Sequence, residues 1–303
     1  MKPRRSTLSV PGHVAKMHQK ASSSAADVIM LDLEDSVPLE EKAAARRQVS
    51  QTLNSIDWGS HTVTVRINST DTPFAYRDMI EVVSAAGSAI DTLVLPKTDH
   101  PGDVHFVSRL LDGIEKDMGL SRSIGIEASI ESARGLSQVE AIAGASDRLR
   151  SLVFGIADYS ASVGARLVSL SGHGENETLY PGHRWHYVMS RLVMAAKAHQ
   201  LLAIDAPYGN FKDPNGLESS AVISCALGFD GKWAIHPDQI DILNRVYEPS
   251  PEDLQRAQAV IAAFERARRE GRGAAAVEGR MIDHATYRLA RQLVSQARFL
   301  GLL

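Results

Sequence analysis

Eight short apolar runs recur along this chain, and their spacing restricts its fold more than any other feature. They cover residues 7–10, 28–32, 63–67, 93–96, 124–130, 152–156, 202–205 and 232–235. Most begin about 28–35 residues apart, the length of a strand, a loop and a returning helix. Segments with helical periodicity fill the gaps at 14–25, 40–53, 76–86, 104–118, 136–143 and 215–227. Eight such units are the complement of a closed barrel, whereas an open doubly wound sheet usually has fewer. The expected fold is therefore α/β, a (β/α)8 TIM barrel. No low-complexity tract or solenoid-type repeat competes with that reading.

Two segments break the rhythm. Residues 157–201 separate two expected strands and include the glycine-rich SLSGHGENETLYPGH. A connection of that length reads as an elaborated loop over a site, with residues 185–199 as the returning helix. Beyond His236 the pattern changes: 251–270 is strongly helical, with Leu254, Ala257, Ile261 and Phe264 on one face. GRGAAAVEG reads as a flexible linker, followed by RMID and a final helix. The expected division is a barrel over 1–250 and a C-terminal helical lid segment over 251–303.

Composition narrows the function classes. The chain has 303 residues with a net charge of −3, which gives no general attraction to nucleic acid or anionic membrane. The N-terminal MKPRRSTLSVPGH is basic but lacks an apolar core, so it does not read as a signal peptide, and no run is long enough to span a membrane. The single cysteine, Cys225, excludes an internal disulfide and lies in an apolar helical run, where it reads as core. A cytoplasmic location is expected.

The chemistry-bearing residues cluster at the ends of the apolar runs. They are Asp32, Glu34 and Asp35 in MLDLEDSV, Arg66 and Asn68 in VRIN, Lys97 in LPK, and then Glu127, Glu131, Asp158, Asp205 and His236. Barrel sites assemble from strand C-termini, and repeated ionisable groups there are costly unless paired or metal-bound. Glu131 and Asp158 end consecutive units and suit a hard, oxygen-preferring ion such as Mg²⁺; the competing reading makes Glu131 a helix cap and Asp158 a solvated loop residue. Arg66 alternates with Val63, Val65 and Ile67, so it points away from them, either to stabilise a carboxylate or enolate oxygen or to bridge to Glu34 or Asp35. Lys97 reads as a partner for carboxylates rather than a Schiff-base lysine. His183 and His186 lack a third ligand at zinc spacing and read as packing. P-loop, GxGxxG, HEXXH and GxSxG motifs are all absent.

In order, RRSTLSVPG, DVIMLDLEDSV, TVRIN, LVLPK, IESARG, GIADYSAS, IDAPYGNFKD and KWAIHPDQI resemble the citrate lyase β-subunit-like superfamily of CoA-ester lyases. WGSHTVTVRINSTDTPFAYRD, RWHYVMSRLVMAAKAH, IDAPYGNF and EGRMIDHA carry the closer resemblance, to malyl-CoA/β-methylmalyl-CoA lyases. This resemblance implies a (β/α)8 barrel with a C-terminal lid, a homotrimer or hexamer, and Mg²⁺ or Mn²⁺ held by Glu131 and Asp158. It further implies Arg66 on the substrate, with Glu34 and Asp35 in the catalytic set, and Asp283 as an acid/base group entering the neighbouring subunit's site. Ser9, Val10, Lys20, Asp205 and Ala206 would contact CoA. The substrates it implies are a CoA thioester and a 2-oxo acid such as glyoxylate. The alternatives within the resemblance are a citramalyl-CoA lyase, a malyl-CoA thioesterase, and a citrate lyase β subunit working only in a complex. Two departures bear on substrate choice: Ala206 stands where glycine is expected, which would narrow the acyl pocket, and residues 167–183 differ from the usual TTxIGG run.

Overall fold

The computed structural model describes residues 2–165, 184–277 and 279–303. Its eight long-range strands are β1 (Ser6–Pro11), β2 (Val28–Asp32), β3 (Thr62–Arg66), β4 (Thr92–Leu95), β5 (Gly125–Ile130), β6 (Leu149–Phe154), β7 (Leu202–Asp205) and β8 (Gly231–Ala234). Each pairs in parallel with the next, and β8 pairs with β1, closing the barrel. The expected strands all form, most with ends shifted by a residue or more. The largest correction is at the sixth: β6 starts at Leu149 and stops at Phe154, and Ile156 belongs to the helix that follows. An apolar run does not reveal a strand end when the next helix begins with a buried isoleucine.

The returning helices are α1 (Ala15–Ala21), α2 (Lys42–Ser55), α3, α4 (Pro101–Met118), α5 (Ala133–Ser137), α6 (Val139–Ala143), α7 (Ile156–Ser162), α8 (His186–Ala198), α9 (Pro214–Leu227) and α10 (Ile240–Val246). The α3 segment is composite, with α-helical Ala75–Asp78, a π-turn at Met79–Val83 and a last turn at Ser84–Ala86. The single helix expected at 136–143 is two short ones, broken where Gln138 leaves helical geometry (φ −111°, ψ 8°). By contrast, α4 carries its own boundary signals. His100 caps it, Nδ1 accepting from Gly102 N at 2.9 Å, Pro101 opens it, and Gly119 closes it in the left-handed region at φ 64°.

Strand register fixes the barrel interior. Ser9 pairs with Met30, Asp32 with Arg66, Val94 with Glu127 and Ser129 with Val153, so these side chains share the inner face. Met30, Val94, Val153, Ile204 and Trp233 form a buried apolar cluster across it. Alternation then sends Asp205 and Lys232, neighbours of Ile204 and Trp233, to the outer face, where they pair with each other in full burial. Glu127 lies on the inner face, toward the N-terminal ends of the strands. It pairs with Arg4, just before β1, and accepts from Thr92 and, at 2.9 Å, from Ser151.

The described chain divides into two compact units, one of Arg4–Arg245 and another formed by Val246–Leu303 with the first residues of the chain. The second unit has its own core. Helix α11 (Pro251–Arg269) and helix α12 (His284–Phe299) bury Ala257, Val260, Phe264, Ala290 and Val294 around Ile282. The segment expected to be a flexible linker contains a strand, β9 (Ala275–Val277), paired antiparallel with β10 (Arg280–Ile282). Its alanines supplied no alternating pattern from which to read a strand. No helix among the described residues is long and apolar enough to cross a membrane.

Candidate active site

The mouth of the barrel is built on an arginine clamped from one side. Asp32 ends β2 on the inner face and is wholly buried. Its two oxygens each accept from Arg66 at 2.6 Å, through Nε and Nη2, and also take the backbone N–H groups of Glu34 (2.9 Å) and Ser36 (3.1 Å). Burial would raise the Asp32 carboxyl, but the Arg66 charge and these donors hold it below the usual carboxylate range. Burial likewise works against the Arg66 cation, and the charge and hydrogen bonds of Asp32 outweigh it, so Arg66 stays protonated. The guanidinium lies 5.6 Å from the Trp233 ring centroid, a second restraint from β8.

The expected Arg66 bridge to Glu34 is present, at 3.0 Å from Nη1 to Oε2, outside hydrogen-bonding geometry. Lys97 Nζ binds the other oxygen of Glu34 and lies 3.4 Å from Asp35. Asp35 is exposed, while Glu34 is buried and its carboxyl is raised, chiefly by that burial. Lys42 completes this corner, donating to the Leu33 and Glu34 carbonyls at 2.8 and 2.7 Å. Asn68 sits beneath, its amide tied to Leu33 O and to buried Asp78, which also meets Arg46. The Asp78–Arg46 support escaped sequence reasoning because both residues lie mid-helix, where charge usually marks a solvated face.

Glu131 follows β5 and accepts from the Lys97 backbone N–H at 3.1 Å. Its carboxyl is pushed up to about 7, first by burial and then by the Glu34 charge, with Asp158 adding to the effect. Asp158 is exposed in the first turn of α7 rather than at a strand end. Room for Glu131 comes from Gly155: a Cβ there would lie 2.2 Å from Glu131 Cγ and 2.8 Å from Oε1. Buried Glu131 in a glycine-made cradle, its ionisation opposed by its surroundings, with exposed Asp158 close enough to add to that opposition, fits a divalent cation supplied with two protein carboxylates and water. Among the described residues no group of three or more His, Cys, Asp or Glu is arranged to hold a metal, so the fit rests on this two-carboxylate arrangement.

The other expected site residues are more dispersed. Ser9 faces the interior and is half-buried, whereas Val10 is buried on the outer face and Lys20 is exposed on α1. Asp205 and Ala206 are buried, and Asp205 accepts from the Ala206 N–H at 2.8 Å while paired to Lys232. The side chains of Glu127 and Asp205 therefore do not face the mouth, because register and alternation decide the face, not proximity to an apolar run. His236 caps the short turn Pro237–Gln239 and stacks on Phe211 with ring centroids 4.9 Å apart. His186 is exposed rather than packed, and Cys225 is only half-buried. His183 and the loop at 167–183 lie outside the described residues. Asp283 caps α12: its Oδ1 accepts from the Thr286 N–H at 2.9 Å, and that bond with its neighbours lowers the carboxyl. Within its own chain the carboxyl is exposed, not seated in an apolar surface that would raise it.

A closed parallel barrel with an anchored arginine and a buried acidic cradle at its strand ends defines a (β/α)8-barrel enzyme. The family model described as HpcH/HpaI aldolase/citrate lyase matches residues 5–237. The chain is 39% identical over 99% of its length to the L-malyl-CoA/beta-methylmalyl-CoA lyase of Cereibacter sphaeroides, covering 96% of that protein. It is 41% identical over 95% of its length to the lyase of the same name from Rhodobacter capsulatus, covering 92% of it. Protein CitE of Mycobacterium tuberculosis, solved in complex with magnesium, acetoacetate and coenzyme A, superposes with a TM-score of 0.78 at 31% identity, covering 98% of both chains. The chain belongs to the HpcH/HpaI aldolase/citrate lyase family.

Proposed function

We propose that this protein is a magnesium-dependent CoA-ester lyase. It cleaves (S)-malyl-CoA or β-methylmalyl-CoA to glyoxylate and acetyl-CoA or propionyl-CoA, and runs the condensation in reverse. The observation that carries the reading is the pairing, at one barrel mouth, of Arg66 held by Asp32 with the cradled Glu131. The near-full-length similarity to lyases named for these substrates supports it.

Glu131 and Asp158 would hold the cation, which would supply Lewis-acid polarisation of the 2-oxo acid carbonyl. Arg66 faces the reacting oxygens with a geometry that Asp32 fixes in advance, so little reorganisation is needed as negative charge develops. In cleavage the 3-hydroxyl gives up its proton, the C2–C3 bond breaks, and its electron pair enters the thioester enolate, which then takes a proton at C2. Asp283 from a neighbouring copy is the acid/base group, and Glu34 and Asp35 shape the charge around Arg66. A trimer or hexamer supplies that neighbour. The CoA moiety is held at Ser9, Val10, Lys20, Asp205 and Ala206. Of these, Val10, Asp205 and Ala206 present backbone rather than side chain, because their side chains are buried.

Incubation of the purified protein with free (S)-malyl-CoA and identification of both products tests the reading. Glyoxylate and acetyl-CoA in equal amounts are expected, with the activity lost on exhaustive chelation and restored by Mg²⁺ or Mn²⁺. Malate and free CoA would instead identify a thioesterase. Glu131→Ala and Asp158→Ala should each abolish turnover with the fold intact, and full activity after chelation would refute the metal role.

A further inference from the structure

The residue that ties most of the mouth together has no role in the chemistry above. Lys97 follows β4 with φ at 47°, one of two non-glycine residues in the left-handed region among those described. There the Cβ crowds the backbone, which is why glycine or asparagine is the usual occupant. A lysine in that conformation needs interactions to fix it, and it has three. Its backbone N–H donates to Glu131 Oε2 at 3.1 Å, and its Nζ binds Glu34 and lies 3.4 Å from Asp35.

These grips differ in charge. Asp32 is matched by two Arg66 bonds, Glu34 by the Lys97 ammonium on one oxygen and by Arg66 3.0 Å from the other, and Asp35 by Lys97. Glu131 receives from Lys97 only a neutral N–H, which orients the carboxylate and leaves its charge unmatched at close range. Without the ammonium, the Glu34 oxygen that Lys97 occupies and the Asp35 carboxylate would stand open side by side on the same mouth, with Arg66 still beside the other Glu34 oxygen, an oxygen set a hard cation accepts.

We propose that Lys97 is a positioning residue that masks Glu34 and Asp35, so that a divalent cation is taken by Glu131 with Asp158 rather than by the acidic pair after β2. The inference rests on the metal reading above. It also accounts for a lysine, rather than glycine, at a left-handed position: the backbone conformation aims the N–H at Glu131 while the side chain reaches back to Glu34.

Mn²⁺ binding to the full-length protein without substrate, read from the electron paramagnetic resonance signal of the free ion, tests it. Glu131→Gln should weaken Mn²⁺ binding at least tenfold. Adding Lys97→Met or Lys97→Gly to Glu131→Gln should then recover binding at least tenfold over Glu131→Gln alone, because Glu34 and Asp35 are unmasked. Glycine adopts the left-handed backbone freely, so it keeps the test open should the methionine variant fold poorly. Lys97→Arg in the same background keeps the positive charge and should recover nothing. Double variants that bind no better than Glu131→Gln would overturn the masking role. Wild-type affinity in Glu131→Gln itself would refute the metal reading, and this inference with it, before Lys97 is changed.

Discussion

At the scale of single residues, the site turns on how completely Arg66 is committed. Two of its nitrogens are spent on Asp32 at 2.6 Å, a two-pronged planar match that a lysine ammonium cannot reproduce. Arg66→Lys should therefore leave Asp32 partly unpaired in full burial and lose the fixed donor toward substrate. We expect kcat to fall by about two orders of magnitude or more, the scale for removing an oxyanion donor. Steady-state kinetics on a variant with unchanged circular dichroism would check this, and near wild-type kcat/KM would make Arg66 purely structural. That Arg66 leaves the apolar face of its strand was legible in the TVTVR alternation. The bridge to Glu34 was also among the expected partners, but the two-bond partner was not: Asp32 ends the neighbouring strand, and only register sets it beside Arg66.

At the scale of elements, the tight junction between β6 and α7 shapes the cradle. Gly155 is required there for space, not for backbone freedom, since an added Cβ would overlap the Glu131 side chain. Gly155→Ala should displace Glu131, raising the Mg²⁺ concentration needed for half-maximal activity at least about tenfold and costing about 1–3 kcal/mol, the range for overpacking. Magnesium titration and urea unfolding measure the two effects. The opposite end of the barrel has a separate polar group. Glu127 would be raised by its burial, but Arg4 and its hydrogen bonds hold it below the ordinary 4.5. A depressed carboxyl contributes stability that is present above its unfolded pKa and lost as pH falls through the folded one. Glu127→Gln should thus be destabilised by about 3–5 kcal/mol near neutrality, since it leaves Arg4 buried and unmatched. The gap to wild type should narrow as the pH falls below 4.5. Urea midpoints between pH 7 and pH 3 would show this, and a constant gap would mean that Glu127 does not titrate with the fold.

For the whole molecule, the apolar layer of Met30, Val94, Val153, Ile204 and Trp233 lies between the Glu127 group and the Arg66 group inside the barrel. Stability and chemistry are thereby assigned to different ends of the same strands, as barrel enzymes commonly arrange them. Within its own chain Asp283 is an exposed helix cap, and the acid/base role proposed for it would be played in a neighbouring subunit's site. Asn caps a helix as well as Asp, so Asp283→Asn should leave thermal stability within about 0.5 kcal/mol of wild type. Its cleavage rate should nevertheless fall about a hundredfold, the scale of lost general acid–base catalysis. Mixing this variant with Glu131→Ala and allowing subunits to exchange should restore part of the activity, since some sites regain both groups. Confirmed mixed oligomers without recovery would confine Asp283 to its own chain.

The eightfold repeat of strand and helix was legible in the sequence, because a strand buried in a barrel must be short and apolar and its return helix must be periodic. The acidic and basic residues at the ends of the runs at 28–32, 63–67 and 124–130 were legible for the same reason: charge at the end of a buried strand interrupts the apolar pattern. What the sequence left open was pairing and facing. Glu127 and Asp205 follow the same local pattern as Glu131, yet register places the first toward the barrel's base and alternation turns the second outward onto Lys232. The strand at Ala275–Val277 was hidden because three small residues carry no period, and only its partner, Arg280–Ile282, defines it. Composition and periodicity record how each segment meets water. Which buried charge meets which is decided by strand order and register, and those exist only once the barrel has closed.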